Sequence, residues 1–165
     1  MKNNILYLCF IFGFVACTTP FQSFGEFSRD QLENSTHNNW FLENYNAHPL
    51  NKALVSQIHS LFDDIEVTIY MGTWCEDSQR EVPSFFKIID ALEAIDQVQP
   101  IVGLNEDKVS HDGSAEQAGV TNVPTFVFSK DGKEINRIVE FPIISLEQDI
   151  LDILQEKGYK HAYDY

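Results

Sequence analysis

The chain has 165 residues, room for one ordinary domain and too little for two. Its 44% hydrophobic and 13% aromatic content is that of a packed core and argues against wholesale disorder. A formal net charge of −14 argues against nucleic acid as a partner, because that binding works by phosphate neutralisation through Lys and Arg, and it disfavours adhesion of the domain surface to anionic lipid.

The chain opens with Lys2 and an apolar run from Ile5 to Ala16, the length of a signal-peptide core and shorter than the roughly 20 residues a membrane-spanning helix needs. The run ends in Phe14-Val15-Ala16-Cys17, which resembles a bacterial lipobox, with Phe14 where Leu is usual. The resemblance implies cleavage after residue 16, a diacylglycerol on the Cys17 sulfur and stable attachment to a membrane. An ordinary signal peptide and an uncleaved anchor are the alternatives. Thr18 to Glu26, with Pro20 and Gly25 and no periodicity, reads as a tether, so residues 17–26 are the lipidated cysteine and its linker. Cys9 and Cys17 both fall in this leader region. Only Cys75 belongs to the globular part, which therefore cannot form an internal disulfide.

Ser28 with Gln31 has the form of a capping box and opens a helical stretch to about Tyr45. Pro49 fits the first turn of a second helix, whose apolar positions Leu50, Leu54, Ile58 and Leu61 recur at helical spacing before Asp63 and Asp64 end it. Residues 27–64 are thus an N-terminal helical extension, expected to pack on the sheet of the domain over 65–165. Ile65 to Met71, rich in β-branched residues, reads as a strand. A helix follows to about Ile95, with Val82, Phe85, Phe86, Ile89, Leu92 and Ile95 on its apolar side. Pro100 to Leu104 is a second strand and Ala115 to Ala118 a helical turn closed by Gly119. Thr125 to Phe128 and Lys133 to Val139 flank the hairpin signal Lys130-Asp131-Gly132. Ser145 with Gln148 opens a last helix, bearing Leu146, Ile150, Ile153 and Leu154 and stopped at Gly158. The order from Ile65, β-α-β-α-β-β-α, predicts an α/β fold: a mixed sheet with one parallel pair, an antiparallel terminal hairpin and helices on both faces.

Between the first of these strands and its helix lies Gly72-Thr73-Trp74-Cys75-Glu76-Asp77-Ser78. A cysteine at a helix N-terminus faces backbone N–H groups and the positive end of the helix dipole, both of which favour its thiolate, the nucleophilic form. Trp74 beside it offers a flat apolar contact. Ser78 stands one turn along, within reach of the sulfur. Glu76 and Asp77 work both ways, stabilising the first helical turn and repelling a thiolate, and the sequence does not decide between the two effects.

The motif resembles the Trp-Cys-x-x-Cys motif of thioredoxins, with Ser78 in the place of the second cysteine. Pro83 stands where that family kinks its active-site helix, and Val123-Pro124-Thr125 resembles its cis-proline loop. The resemblance runs from about Ile65 to Gly158. It implies a thioredoxin-like mixed sheet, a cis bond before Pro124, and pairing of the backbone at Val123 with an extended substrate segment, with Trp74 lining the same place. It also marks two departures. Ser78 cannot form or resolve a disulfide, and Ile69 occupies the position where many thioredoxins bury an acid that assists the second cysteine.

The expected activity is therefore monothiol thiol–disulfide exchange, an oxidoreductase or isomerase chemistry through Cys75, with Trp74, Ser78 and Pro124 completing the catalytic group. Its partners would be disulfide- or thiol-containing proteins of the bacterial cell envelope and an external thiol reductant, with the chain lipid-anchored and facing the periplasm. The alternative is a redox-inactive binding module that keeps the fold and recognises extended protein segments. Peroxide chemistry on Cys75 is a third reading. No cofactor is expected. His37, His48, His59, His111 and His161 form no ligand-spaced pair, so no metal site is expected either.

Overall fold

The structure, a computed structural model, describes residues 23–164. The readings on Ile5–Ala16, Cys9 and Cys17 lie outside the described residues. Five strands form one sheet in the order β1-β3-β2-β4-β5, with β1 at Gly25–Phe27, β2 at Ile65–Met71, β3 at Ile101–Gly103, β4 at Thr125–Lys130 and β5 at Lys133–Val139. β2 runs parallel to β3, as the strand-helix-strand order requires, and antiparallel to β4. β4 and β5 form the hairpin, whose turn places Asp131 at φ 51 and Gly132 at φ 70, the left-handed pair of a type I′ turn.

The side chains of β2 alternate between two cores. Ile65, Val67, Ile69 and Met71 join Phe126, Phe128 and Ile138 in a large cluster under the helices α4, Glu76–Leu92, and α6, Leu146–Leu154. On the other face Tyr70, Val102, Val123 and Val127 meet Ala115 and Val120, around the short helix α5, Ser114–Gln117. Helices thus cover both faces, very unequally.

The N-terminal extension departs from the expected pattern in several ways. The single stretch from Ser28 to Tyr45 is two helices, α1 at Arg29–Glu33 and α2 at Asn38–Ala47. The Ser28–Gln31 capping box is formed, but Ser35 breaks the run. Its hydroxyl donates to the Leu32 carbonyl at 2.6 Å and accepts from the His37 N–H at 3.1 Å, competing with the helical bonds. Helix α3, Lys52–His59, is capped by Asn51, so Pro49 precedes the helix instead of starting it. The helix stops at His59, ahead of Asp63 and Asp64, and it is Phe62, not Leu61, that is buried. At the end of α4, Ile95 is likewise exposed, standing in a 3₁₀ turn. Residues Gly25 and Glu26, expected in the tether, are part of β1, which pairs antiparallel with β3.

Leu32, Phe41, Val55, Ile58 and Phe62 from the extension enter the same core as α4 and α6, so the extension packs on those helices as a second layer and not directly on the sheet. Arg29 ties the layers together. Its guanidinium grips both carboxylate oxygens of Asp90 on α4, bonds Glu33, and lies over the Phe86 ring at 5.0 Å from the centroid. Tyr45 adds a bond to Asp90 at 2.7 Å.

Candidate active site

β2 ends at Met71 and delivers Gly72-Thr73-Trp74-Cys75 to the N-terminus of α4. Cys75 is the N-cap residue, with extended backbone at φ −89 and ψ 125, and its carbonyl accepts the first helical bond from the Gln79 N–H at 3.0 Å. The preceding turn closes with the Cys75 N–H on the Gly72 carbonyl at 3.0 Å. The side chain of Cys75 is half-buried and turns toward the loop before β4, where its Sγ–H donates to the Val123 carbonyl at 3.2 Å. The Val123–Pro124 peptide is cis, and both residues are buried. The loop is held by the Thr125 hydroxyl on the Asn122 carbonyl at 2.7 Å and by the Glu140 N–H on the Pro124 carbonyl at 2.7 Å.

Trp74 is 39% exposed, and its Nε1–H donates to the Leu104 carbonyl at 3.0 Å. The indole lies against Gly72 so closely that a Cβ there would stand 2.4 Å from the ring. Glycine at this position is a packing requirement: it leaves the space the Trp74 ring fills. The structure thus brings Trp74, Cys75, Val123 and Pro124 to one end of the sheet.

Ser78 is placed differently from its expected role. Its hydroxyl is fully buried and accepts from the Gly72 N–H at 3.3 Å, bracing the turn under Cys75 instead of bonding the sulfur. Ile69 is fully buried in the main core, so the position of the family's assisting acid is filled by hydrocarbon.

The acidic pair at the helix start is split. Glu76 is exposed, while Asp77 forms an ion pair with Arg80, which also bonds Glu81 at 2.7 Å. Burial pushes the Glu81 carboxyl up, against the pull of Arg80.

Sequence reasoning missed Gln79, whose side-chain amide donates to the Thr73 carbonyl at 2.8 Å and fastens the loop across the cysteine. The Leu104 carbonyl, as partner of Trp74, was missed as well. Among the described residues no group of three or more His, Cys, Asp or Glu side chains is placed to hold a metal ion, and no helix is long and apolar enough to cross a membrane.

No family model matches the chain. It is 34% identical over 70 residues to a thioredoxin of Chlamydia caviae, a match over 42% of this chain that spans just under two thirds, 63%, of that protein. It is 31% identical over 91 residues to a mitochondrial thioredoxin-3 of Saccharomyces cerevisiae, covering 55% of this chain and 67% of the relative. Among solved structures, a Pseudomonas aeruginosa protein of unknown function superposes with a TM-score of 0.58 at 13% identity, over 73% of this chain and 84% of that one, which speaks to the fold alone. The strand-to-helix turn carrying Trp74 and Cys75, the cis-proline loop packed against it, and the length of the yeast match lead to one conclusion: the chain belongs to the thioredoxin-like superfamily.

Proposed function

We propose that this protein is a monothiol thiol–disulfide exchange protein of the bacterial cell envelope, attached to a membrane by lipid on Cys17, facing the periplasm, and acting through Cys75 on disulfide- or thiol-containing envelope proteins. The observation that carries the reading is the approach of the Cys75 sulfur to the Val123 carbonyl, 3.2 Å, at a helix N-terminus and beside a cis-proline loop. An extended client segment laid along the Val123 backbone brings its sulfur to that of Cys75.

In the forward step the Cys75 thiolate attacks one sulfur of a client disulfide. A Cys75–client S–S bond forms, the client's own S–S bond breaks, and the second client sulfur leaves as a thiolate that takes a proton from water. Ser78, buried and engaged with Gly72, offers no thiol for a second attack within the chain. An external thiol must therefore attack the mixed disulfide and release Cys75. That requirement suits isomerisation, removal of small thiols from clients, and client capture. The names of the thioredoxin relatives support thiol–disulfide chemistry in general.

The test is to incubate the full chain with glutathione disulfide and map adducts by peptide mass. The expected result is a glutathione adduct on Cys75 in the folded protein that persists until an external thiol is added, and none in Cys75→Ala. A Cys75 that is modified only after unfolding would overturn the catalytic reading and leave a binding module.

A further inference from the structure

The two ends of the sheet differ in chemistry, and the chain enters at one of them. Gly25 pairs with Gly103, and Gly103 pairs with Met71, the last residue of β2 before the Trp74–Cys75 turn. β1 runs antiparallel to β3, so its first residue lies at the active-site end. The approach is close: a Cβ on Gly103 would stand 2.1 Å from the Ser23 carbonyl, and the next residue, Leu104, accepts the Trp74 indole. Cys17 is six residues before Ser23, and six residues span at most roughly 20 Å of extended chain.

The same end carries four of the ten exposed large apolar side chains of the described residues, among them the two most exposed, Ile143 and Ile144. Trp74 is joined there by Phe141 at 41%, Ile143 at 53% and Ile144 at 72% exposure, in the loop that follows β5. β5 is antiparallel to β4 and so parallel to β2, which puts this loop beside the cis-proline turn, where the Glu140 N–H bonds Pro124. The loop is fastened from beneath. The buried carboxylate of Asp149 accepts from the N–H groups of Ile143 and Ile144 and from the Tyr159 hydroxyl, at 2.5, 3.1 and 2.8 Å. A firmly held loop that points Phe and Ile side chains at solvent is the signature of a contact surface. At the opposite end of the sheet Asp63, Asp64, Glu66, Asp96 and Asp131 converge around one shallow cavity, an end suited to water. The active-site end also bears Glu76, Glu106, Asp107 and Glu140, so its apolar rim suits a surface without net negative charge.

We propose that the rim of Trp74, Phe141, Ile143 and Ile144 rests on a zwitterionic lipid bilayer, so that Cys75 works at the membrane surface. The inference rests on the reading of Cys17 as the lipid anchor: a tether of this reach, leaving from this end, turns the active site toward the bilayer and the acidic end away from it. The clients it selects are protein segments lying at or emerging from the membrane.

The test uses the full chain, processed and lipidated in a bacterial host and reconstituted into phosphatidylcholine vesicles holding an acceptor-labelled lipid. A donor fluorophore is placed on Cys75, or at the far end in an Asp63→Cys variant that also carries Cys75→Ala. The two ends are separated by the length of β2, roughly 20 Å at about 3.3 Å per residue, well within the resolution of energy transfer. Several-fold stronger transfer from Cys75 than from position 63 is expected, together with a fall of the Cys75 signal in an Ile143→Asp, Ile144→Asp double variant that still floats with the vesicles. Equal transfer from both ends, or an unchanged signal in the double variant, with flotation intact, overturns the docking and leaves the anchor standing. Loss of flotation in the unaltered chain overturns the anchor and the docking together, while the glutathione test on Cys75 remains independent of both.

Discussion

The Gly72 amide donates to the buried hydroxyl of Ser78 at 3.3 Å, joining the end of a strand to the first turn of the helix it feeds. The position that in a dithiol relative would resolve a disulfide here serves the backbone. Ser78→Ala leaves a buried N–H without its partner and is expected to lower stability by about 1–3 kcal/mol in urea unfolding. The glutathione adduct on Cys75 should still form, because the sulfur's contact to Val123 is untouched.

Ser78→Cys tests the monothiol reading from the other side. A second thiol one turn from Cys75 gives the mixed disulfide an internal route of release. The persistent adduct of the unaltered chain should become transient, replaced by an oxidised chain whose intramolecular disulfide is detected by mass. An adduct that persists unchanged would show that the two positions do not meet.

At Gly72 the prediction is steric. Gly72→Ala sets a Cβ 2.4 Å from the Trp74 ring, so the indole must leave its site and its bond to Leu104. In a Trp40→Phe background, where the remaining indole reports alone, emission should shift to the red as the Trp74 ring moves into solvent. An unshifted spectrum would contradict the packing described.

Glu147 supplies the pH dependence. Burial opposes its ionisation, but His48 at 3.1 Å and the Asn51 N–H at 2.9 Å hold its carboxyl at about 2, below its ordinary 4.5. A depressed carboxyl contributes stability that is fully present above its unfolded value and lost as pH falls through its folded one. The chain should therefore lose stability between about pH 4.5 and 2. Glu147→Gln should flatten that limb of a urea-midpoint-against-pH curve while lowering the midpoint at pH 7.

The extension is expected to come loose as a unit. Asp90→Ala removes the acceptor of both Arg29 and Tyr45, a partly exposed group contributing about 1 kcal/mol. Hydrogen exchange should speed up in α1 and α2 while β2 and β4 keep their protection.

What the sequence made legible was local. β2, the β4–β5 hairpin and the capped starts of α1 and α6 follow from periodicity and turn chemistry within a few residues. The break at Ser35 depends on a side chain outbidding the helix for its own backbone, which spacing does not reveal. Trp74, Cys75, Val123 and Pro124 were found through a family resemblance and do come together, but the orientation of Ser78 was not readable. Helical Cβ atoms lean toward the N-terminus, so a residue in the first turn reaches back to the strand as readily as to its neighbour. Gln79 and the Leu104 carbonyl carried no pattern at all, because their partners are backbone atoms set by the tertiary fold.

The pairing of Gly25 with Gly103 has a consequence for how the molecule assembles. β1 is the first strand to be synthesised, yet its partner follows about 80 residues later, a separation that makes this contact slow to close. The turn with Trp74 and Cys75 also closes on distant partners, the Leu104 and Val123 carbonyls, whereas the β4–β5 hairpin pairs with its immediate neighbour in sequence. Without β1, the outer edge of β3 would present unpaired amides and carbonyls to any extended chain nearby. Arrival of β1 closes that edge, leaving the finished domain with its charged β5 flank, bearing Lys133, Glu134 and Arg137, as the other border of the sheet.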